Sequence, residues 1–229
     1  MKTSPAIVIM AKAPRPGSVK TRLAPLLGAA RCSELQEYLI CQAVSLATLV
    51  APTYVAFDPI DADGEMRQLV ADEVAMFVQR GMNIGERMAN AIEEVFALSN
   101  GPVLVSGTDV PTLKEHHLRA ALAALDIGHD IVFGPAFDGG YYLTGLSKPI
   151  RGLFDIDPTL WSGPRVLEAS IEAARRLGLS IATVQKLRDL DTTDDATAML
   201  AEGDLSLELR EILDPKPLST VVGMTNASE

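Results

Sequence analysis

Positive charge is scarce in this chain. Twenty Lys and Arg stand against thirty Asp and Glu over 229 residues, a formal net charge of −10. A general nucleic-acid binder needs a basic surface to meet phosphates, so that class is excluded; a nucleotide ligand is not, because a few local cations can hold one. Cysteine is nearly absent. Cys32 and Cys41 lie nine positions apart in a helical pattern, which is neither metal-ligand spacing nor a disulfide framework; they read as core or surface thiols. Long apolar runs are missing too. The first apolar run, 6–11, is too short and too soon followed by charge for a signal peptide or a membrane span. A cytoplasmic protein without membrane insertion is the expectation. There is no internal repeat, no long low-complexity linker, and no Gly-x-x-x-x-Gly-Lys-Ser/Thr phosphate loop.

What is present suits an α/β domain. Hydrophobic residues make up 48% and charged residues 22%, enough for one large core. A single domain over 1–213 is expected, with a loosely ordered tail over 214–229 that carries Pro215 and Pro217.

The central stretch is 102–111, Pro-Val-Leu-Val-Ser-Gly-Thr-Asp-Val-Pro. A short apolar run bounded by breakers reads as a buried strand of a parallel sheet, and its small residues leave the Asp109 carboxylate at the sheet's carboxyl edge. Ligands of open α/β sheets bind there, and a carboxylate at that edge invites Mg²⁺. Asp109 is equally readable as the N-cap of a helix over 113–125. Strand 6–11 is apolar on both faces and so central. It runs into Lys12-Ala-Pro-Arg-Pro-Gly-Ser-Val-Lys-Thr-Arg-Leu23, where two prolines and a glycine oppose helix. Lys12, Arg15, Lys20 and Arg22 make this loop, with Gly17, a candidate cradle for a di- or triphosphate. A solvated charge cluster is the alternative.

Helical spacing is read over 29–50, strands over 53–57 and 74–78, and helices over 60–70 and 83–98. Gln79, Gly81 and Asn83 lie where a base or sugar could be read. Arg87 could reach phosphate, although local pairing through Glu86 or Asn90 is the simpler role. His116 and His117 face different directions on one helix, cannot converge on a metal, and are read as surface residues. Strand 130–133 delivers Gly134-Pro-Ala-Phe-Asp-Gly-Gly-Tyr-Tyr-Leu143. Its Asp-Gly-Gly turn fits a hairpin and also close approach of backbone to ligand. Trp161, the only tryptophan, is read as a packing anchor. Ser162 and Pro164 fit the start of a helix ending at Gly178. Strand 180–184 follows. Asp191 stands before a helix capped by Thr192 or Thr193, whose first turn suits Asp194 and Asp195. A last helix spans 204–213.

Together these motifs resemble the radical-SAM/selenodomain-associated transferase 1 family, relatives of the nucleotide-diphospho-sugar transferase superfamily. The carrying segments are 10–23, 79–88, 107–111, 134–143, Trp161-Ser162 and Asp189-Leu-Asp-Thr192. The resemblance implies a GT-A fold: three α/β/α layers, a mostly parallel central sheet, and a Rossmann-like nucleotide-binding half. It implies Mg²⁺ (or Mn²⁺) on Asp109 and Asp191, with donor phosphates on the 12–22 loop. Gln79 and Gly81 then lie near the base and Arg87 near phosphate. Asp138, Gly139, Gly140, Tyr141, Trp161 and Ser162 form the acceptor side, and Asp109, Lys20 and Asp138 are the candidates for the chemistry. The chain is similar to guanylyltransferases of molybdenum-cofactor and 2-phospholactate metabolism. It departs from the family's pattern at Gly163, where a hydroxyl residue is usual. The implied partner is a nucleotide or nucleotide-sugar donor, and a homodimer is left open. Glycosyl transfer releases a nucleoside diphosphate and nucleotidyl transfer releases pyrophosphate; binding without turnover is the third reading, since a site can outlive its chemistry.

Overall fold

A computed structural model of the chain describes residues 4–161 and 163–214. Ser162 and the expected tail beyond Asp214 lie outside the described residues. Seven strands form one sheet: β1 (Ala6–Lys12), β2 (Thr53–Asp58), β3 (Ala75–Val78), β4 (Val103–Ser106), β5 (Ile131–Pro135), β6 (Tyr141–Leu146) and β7 (Ile181–Thr183). Their order is β3-β2-β1-β4-β6-β5-β7. All pairings are parallel except those of β6, which runs antiparallel to β4 and β5.

Period-2 alternation along β1 builds the two helical layers. Ile7 and Ile9 face one cluster with Ile40 and Val44 of α1 (Ala24–Thr48), Met66 of α2 (Asp63–Leu69) and Leu118 of α4 (Glu115–Asp126). Val8 and Met10 face another with Ile92 of α3 (Ile84–Leu98) and Ala174 of α5 (Val166–Arg176). The result is a three-layer α/β/α fold. A third cluster joins Leu23, Leu35 and Leu39 to Met199 of α6 (Thr193–Glu202) and Leu209 of α7 (Leu207–Leu213). Among the described residues no helix is long and apolar enough to cross a membrane.

Helix α1 is two helical segments joined at a kink: Gly28 has a non-helical backbone (φ 76°, ψ 161°) that only glycine adopts cheaply, so the main segment starts at the expected 29 and a short segment from Ala24 precedes it. Three readings change. Helix α5 begins at Val166 after Arg165, later than the Ser162 and Pro164 signals suggest. Helix α7 begins at Leu207, where Ser206 Oγ accepts from Leu209 N. His117 is buried: its Nδ1 accepts from Lys114 N at 3.0 Å and its Nε2 meets Gln185 Oε1 at 3.3 Å. Burial holds its pKa below the usual histidine range, and His116 adds to this.

Candidate functional site

Chain topology places the site. From β1 the sheet grows through β2 and β3 on one side and through β4 on the other. This reversal opens a crevice at the carboxyl ends of β1 and β4, the place where such sheets take ligands. Strand β4 is buried throughout. Beyond it Thr108 Oγ1 donates to Asp109 Oδ1 at 3.1 Å and accepts from Gln36 Nε2 at 3.3 Å. The Asp109 side chain stays 49% exposed. It does not cap α4, whose N-cap is Lys114, so the capping alternative falls.

The loop after β1 delivers two of its cations to this crevice. Lys20 takes the left-handed conformation (φ 49°), a backbone region uncommon for a side-chain-bearing residue. Its side chain is only 3% exposed. The ammonium contacts Asp109 Oδ1 and donates to Leu190 O, both at 2.8 Å. Leu190 N donates to Asp109 O at 2.7 Å, which ties 189–191 to the end of β4. Arg22 Nη1 donates to Asp191 Oδ2 at 2.8 Å. Asp109, Asp191, Lys20 and Arg22, spread over 170 positions, therefore share one pocket mouth.

The other loop candidates divide. Lys12 Nζ donates to Ser18 O at 2.9 Å and Lys12 lines the cleft. Arg15 turns away: its guanidinium meets Glu65 at 2.7 Å and Asp61 at 3.1 Å beside α2. Gly17 supplies a positive-φ turn (φ 80°) and lines neither lobe of the cleft.

Two lobes meet at Lys20, Ile84, Asp109 and Asp191. The first, about 350 Å³, spreads over β1 and β2 and is lined also by Gln36, Asp58, Gln79 and Arg87. Gln79 Nε2 donates to Ala11 O (3.1 Å) and Ala56 O (2.8 Å). Arg87 does not pair with Glu86 or Asn90; it reaches Asp58 at 3.3 Å and Gly81 O at 3.3 Å. Gly81 packs against the first turn of α3, where a Cβ would stand 2.7 Å from that of Glu86. Asn83 is the cap of that helix, its Oδ1 accepting from Glu86 N at 2.9 Å, so its side chain is already committed.

The second lobe, about 510 Å³, is bounded by Asp138, Gly140, Tyr141, Trp161 and Asp189. The Asp-Gly-Gly turn is both of the things expected of it. It joins antiparallel β5 and β6, and it lines the cleft. Asp138 Oδ1 accepts from Gly140 N at 2.8 Å, and Gly139 (φ 94°) lies so close to Pro164 that a Cβ would sit 2.0 Å from its carbonyl oxygen. Trp161 is a buried anchor, stacked 6.5 Å from Phe154.

Sequence reasoning left Asp189 unassigned. Alternate residues of an extended segment point the same way, so Asp191 at the cleft entails Asp189 there too; that was the available signal. The Ala136–Leu187 bridge and the Phe137 N to Leu187 O bond bring Asp138 alongside. Burial, then Asp138, then Asp109 push the Asp189 carboxyl up to about 7, against the pull of Lys20. Buried Gln36 was also missed, since nothing local marks it.

This electrostatic state bears on a metal. Four carboxylates, at 109, 138, 189 and 191, face Lys20 and Arg22 in one lobe, and the Asp189 carboxyl is raised first by burial and then by its acidic neighbours. All four offer hard oxygen. Among the described residues no three His, Cys, Asp or Glu side chains form a closed metal-binding group. Carboxylate oxygens of this kind are the donors that Mg²⁺ takes, one or two at a time, together with substrate phosphates and water.

Comparison with known proteins accords with this architecture. A protein of Desulfovibrio desulfuricans, provisionally named a nucleotide-diphospho-sugar transferase, superposes with a TM-score of 0.80 at 30% identity, covering 86% of this chain and 87% of its own. A phosphoenolpyruvate guanylyltransferase of Mycolicibacterium smegmatis is 29% identical over 80% of this chain and 90% of its own length. Glucosyl-3-phosphoglycerate synthase of Mycobacterium tuberculosis, solved with Mn²⁺, UDP and glucosyl-3-phosphoglycerate, shares the fold at a TM-score of 0.52 and 16% identity, over 81% of this chain and 70% of its own. The protein is a transferase built on the nucleotide-diphospho-sugar transferase fold. Residues 42–162 match the family described as uncharacterized protein conserved in bacteria, DUF2064, and the chain belongs to it.

Proposed function

We propose that the protein is a metal-dependent nucleotidyltransferase that joins a nucleoside triphosphate to an anionic acceptor and releases pyrophosphate. The observation that carries the reading is the convergence of Lys20 with Asp109 and of Arg22 with Asp191 in one cleft at the sheet's switch point. The triphosphate would lie across the first lobe, with Gln79 near the base. The acceptor would enter the lobe bounded by 138–141 and Trp161, with Ser162 adjacent in the chain. Lys20 and Arg22 would neutralise phosphate oxygens as charge develops on the leaving pyrophosphate, while Lys12 lies at the loop's rim. Asp109 and Asp191 would hold Mg²⁺ (or Mn²⁺), with Asp189 beside them, and the bound ion would supply Lewis-acid stabilisation of the phosphates. Among the described residues the lining of both lobes holds no His or Cys. A phosphate or carboxylate oxygen can attack the α-phosphorus without first losing a proton, and Lys20 and Arg22 would offset its charge beside the four carboxylates of that lobe.

The guanylyltransferase relative makes GTP and phosphoenolpyruvate the first pair to try. The motifs favour placement in the radical-SAM/selenodomain-associated transferase 1 branch. Glycosyl transfer is the second reading, favoured by the name of the Desulfovibrio relative. Incubation with Mg²⁺, each nucleoside triphosphate and phosphoenolpyruvate should release pyrophosphate, and Asp109→Asn should abolish it. Nucleoside diphosphate released from a nucleotide sugar, with no pyrophosphate from any triphosphate, would transfer the assignment to the second reading.

A further inference from the structure

Every cation of the basic loop already has an internal partner. Lys20 is held by Asp109 and Leu190 O, Arg22 by Asp191, Arg15 by Asp61 and Glu65, and Lys12 by Ser18 O. The two carboxylates best placed for a metal are thus occupied by the two cations best placed for phosphate. A phosphate group reaching Arg22 must compete with Asp191, and a metal reaching Asp191 must compete with Arg22. The same holds at Lys20 and Asp109.

We propose that the loop works by ion-pair exchange. In the free protein Lys20 and Arg22 stand in for the metal on Asp109 and Asp191. When metal and polyphosphate arrive together, the carboxylates pass to the metal and the two cations pass to the phosphates. Each ligand alone must break pairs that the other would break for it. Metal and polyphosphate therefore bind with positive coupling through the protein, beyond their affinity for each other in solution. The exchange keeps a cleft with surplus acid partly neutral while it is empty. Its cost is low at Arg22, whose side chain is 68% exposed against 41% for Asp191, because exposed pairs are weak. The proposal rests on the nucleotide-transfer reading, and its test separates the two.

The test is a double-mutant cycle read by calorimetry with tripolyphosphate in EDTA. Asp191→Asn releases Arg22, so tripolyphosphate should bind about threefold tighter than to wild type, the scale of an exposed ion pair. In an Arg22→Gln background the same Asp191→Asn change should give no gain, because there is no cation to release. Arg22→Gln alone should bind Mn²⁺ tighter than wild type, a gain that Asp191→Asn removes. Equal gains in both backgrounds, as simple removal of a negative charge would give, overturn the exchange. Lys20→Met provides a second arm, in which Mn²⁺ affinity should rise and tripolyphosphate affinity fall; a fall in both overturns it too. Mg²⁺-GTP titrated into the same wild-type preparation distinguishes the failures. Binding of Mg²⁺-GTP with an additive cycle defeats the exchange alone; no binding of Mg²⁺-GTP or tripolyphosphate defeats both.

Discussion

Asp189 carries the electrostatic condition of the cleft. Its carboxyl is pushed up to about 7 by burial and by Asp138 and Asp109, whereas an aspartate in an unfolded chain titrates near ~4. Between those values the folded protein holds a proton that the unfolded chain has lost. Its contribution to stability therefore falls as pH rises from about 4 to about 7 and stays low above. Asp189→Asn should raise the melting temperature more at pH 8 than at pH 5, as measured by calorimetry. An equal shift at both pH values would contradict the assignment. Single residues also show what the sequence disclosed. Asp109, Asp191, Lys20 and Arg22 were legible because each follows a strand or precedes a helix. Arg15 was not, because Asp61 and Glu65 are roughly fifty positions away and only the packing of α2 brings them to it. His117 was misread because its environment depends on Gln185, 68 positions away in the chain.

Among elements, helix α3 forms a wall of the cleft through a close approach that needs glycine. A Cβ on Gly85 would stand 2.2 Å from the Trp161 ring. Gly85→Ala should cost about 1–3 kcal/mol, as overpacking does, and should disturb the second lobe by moving the indole. Gly64, within α2, meets nothing within 4 Å. Gly64→Ala should therefore stabilise by about 0.5–1 kcal/mol through backbone entropy alone. Urea unfolding of both variants checks the contrast, and two losses of equal size would refute it. The elements themselves were largely readable: Thr192 caps α6 with a reciprocal bond from Asp195, and Gly178 follows α5 with positive φ (69°). The start of α5 was not, since Pro164 looks like a first helical position and the helix begins at Val166.

Over the whole molecule, the C-terminal helices back the basic loop after β1. Leu209 of α7 and Leu23, which directly follows Arg22, lie in one cluster and are almost fully buried. Leu209→Ala should cost about 2–4 kcal/mol in urea unfolding, and a loss under ~1 kcal/mol would show that α7 is merely appended. The sheet's central order was implied by its apolar strands and by the resemblance of its motifs. The hairpin turn announced β6 antiparallel to β5, but the reversal at β1 and the insertion of β6 beside β4 depend on long-range pairing that no local pattern states. Those two features bring the acidic and basic segments to one mouth. Titration of Mg²⁺-GTP into wild type and Asp109→Ala is the most direct test of the account. It predicts binding by the wild type and a loss of tenfold or more, above ~1.4 kcal/mol, in the variant; equal binding by both would contradict the metal role of Asp109 and the transfer mechanism built on it.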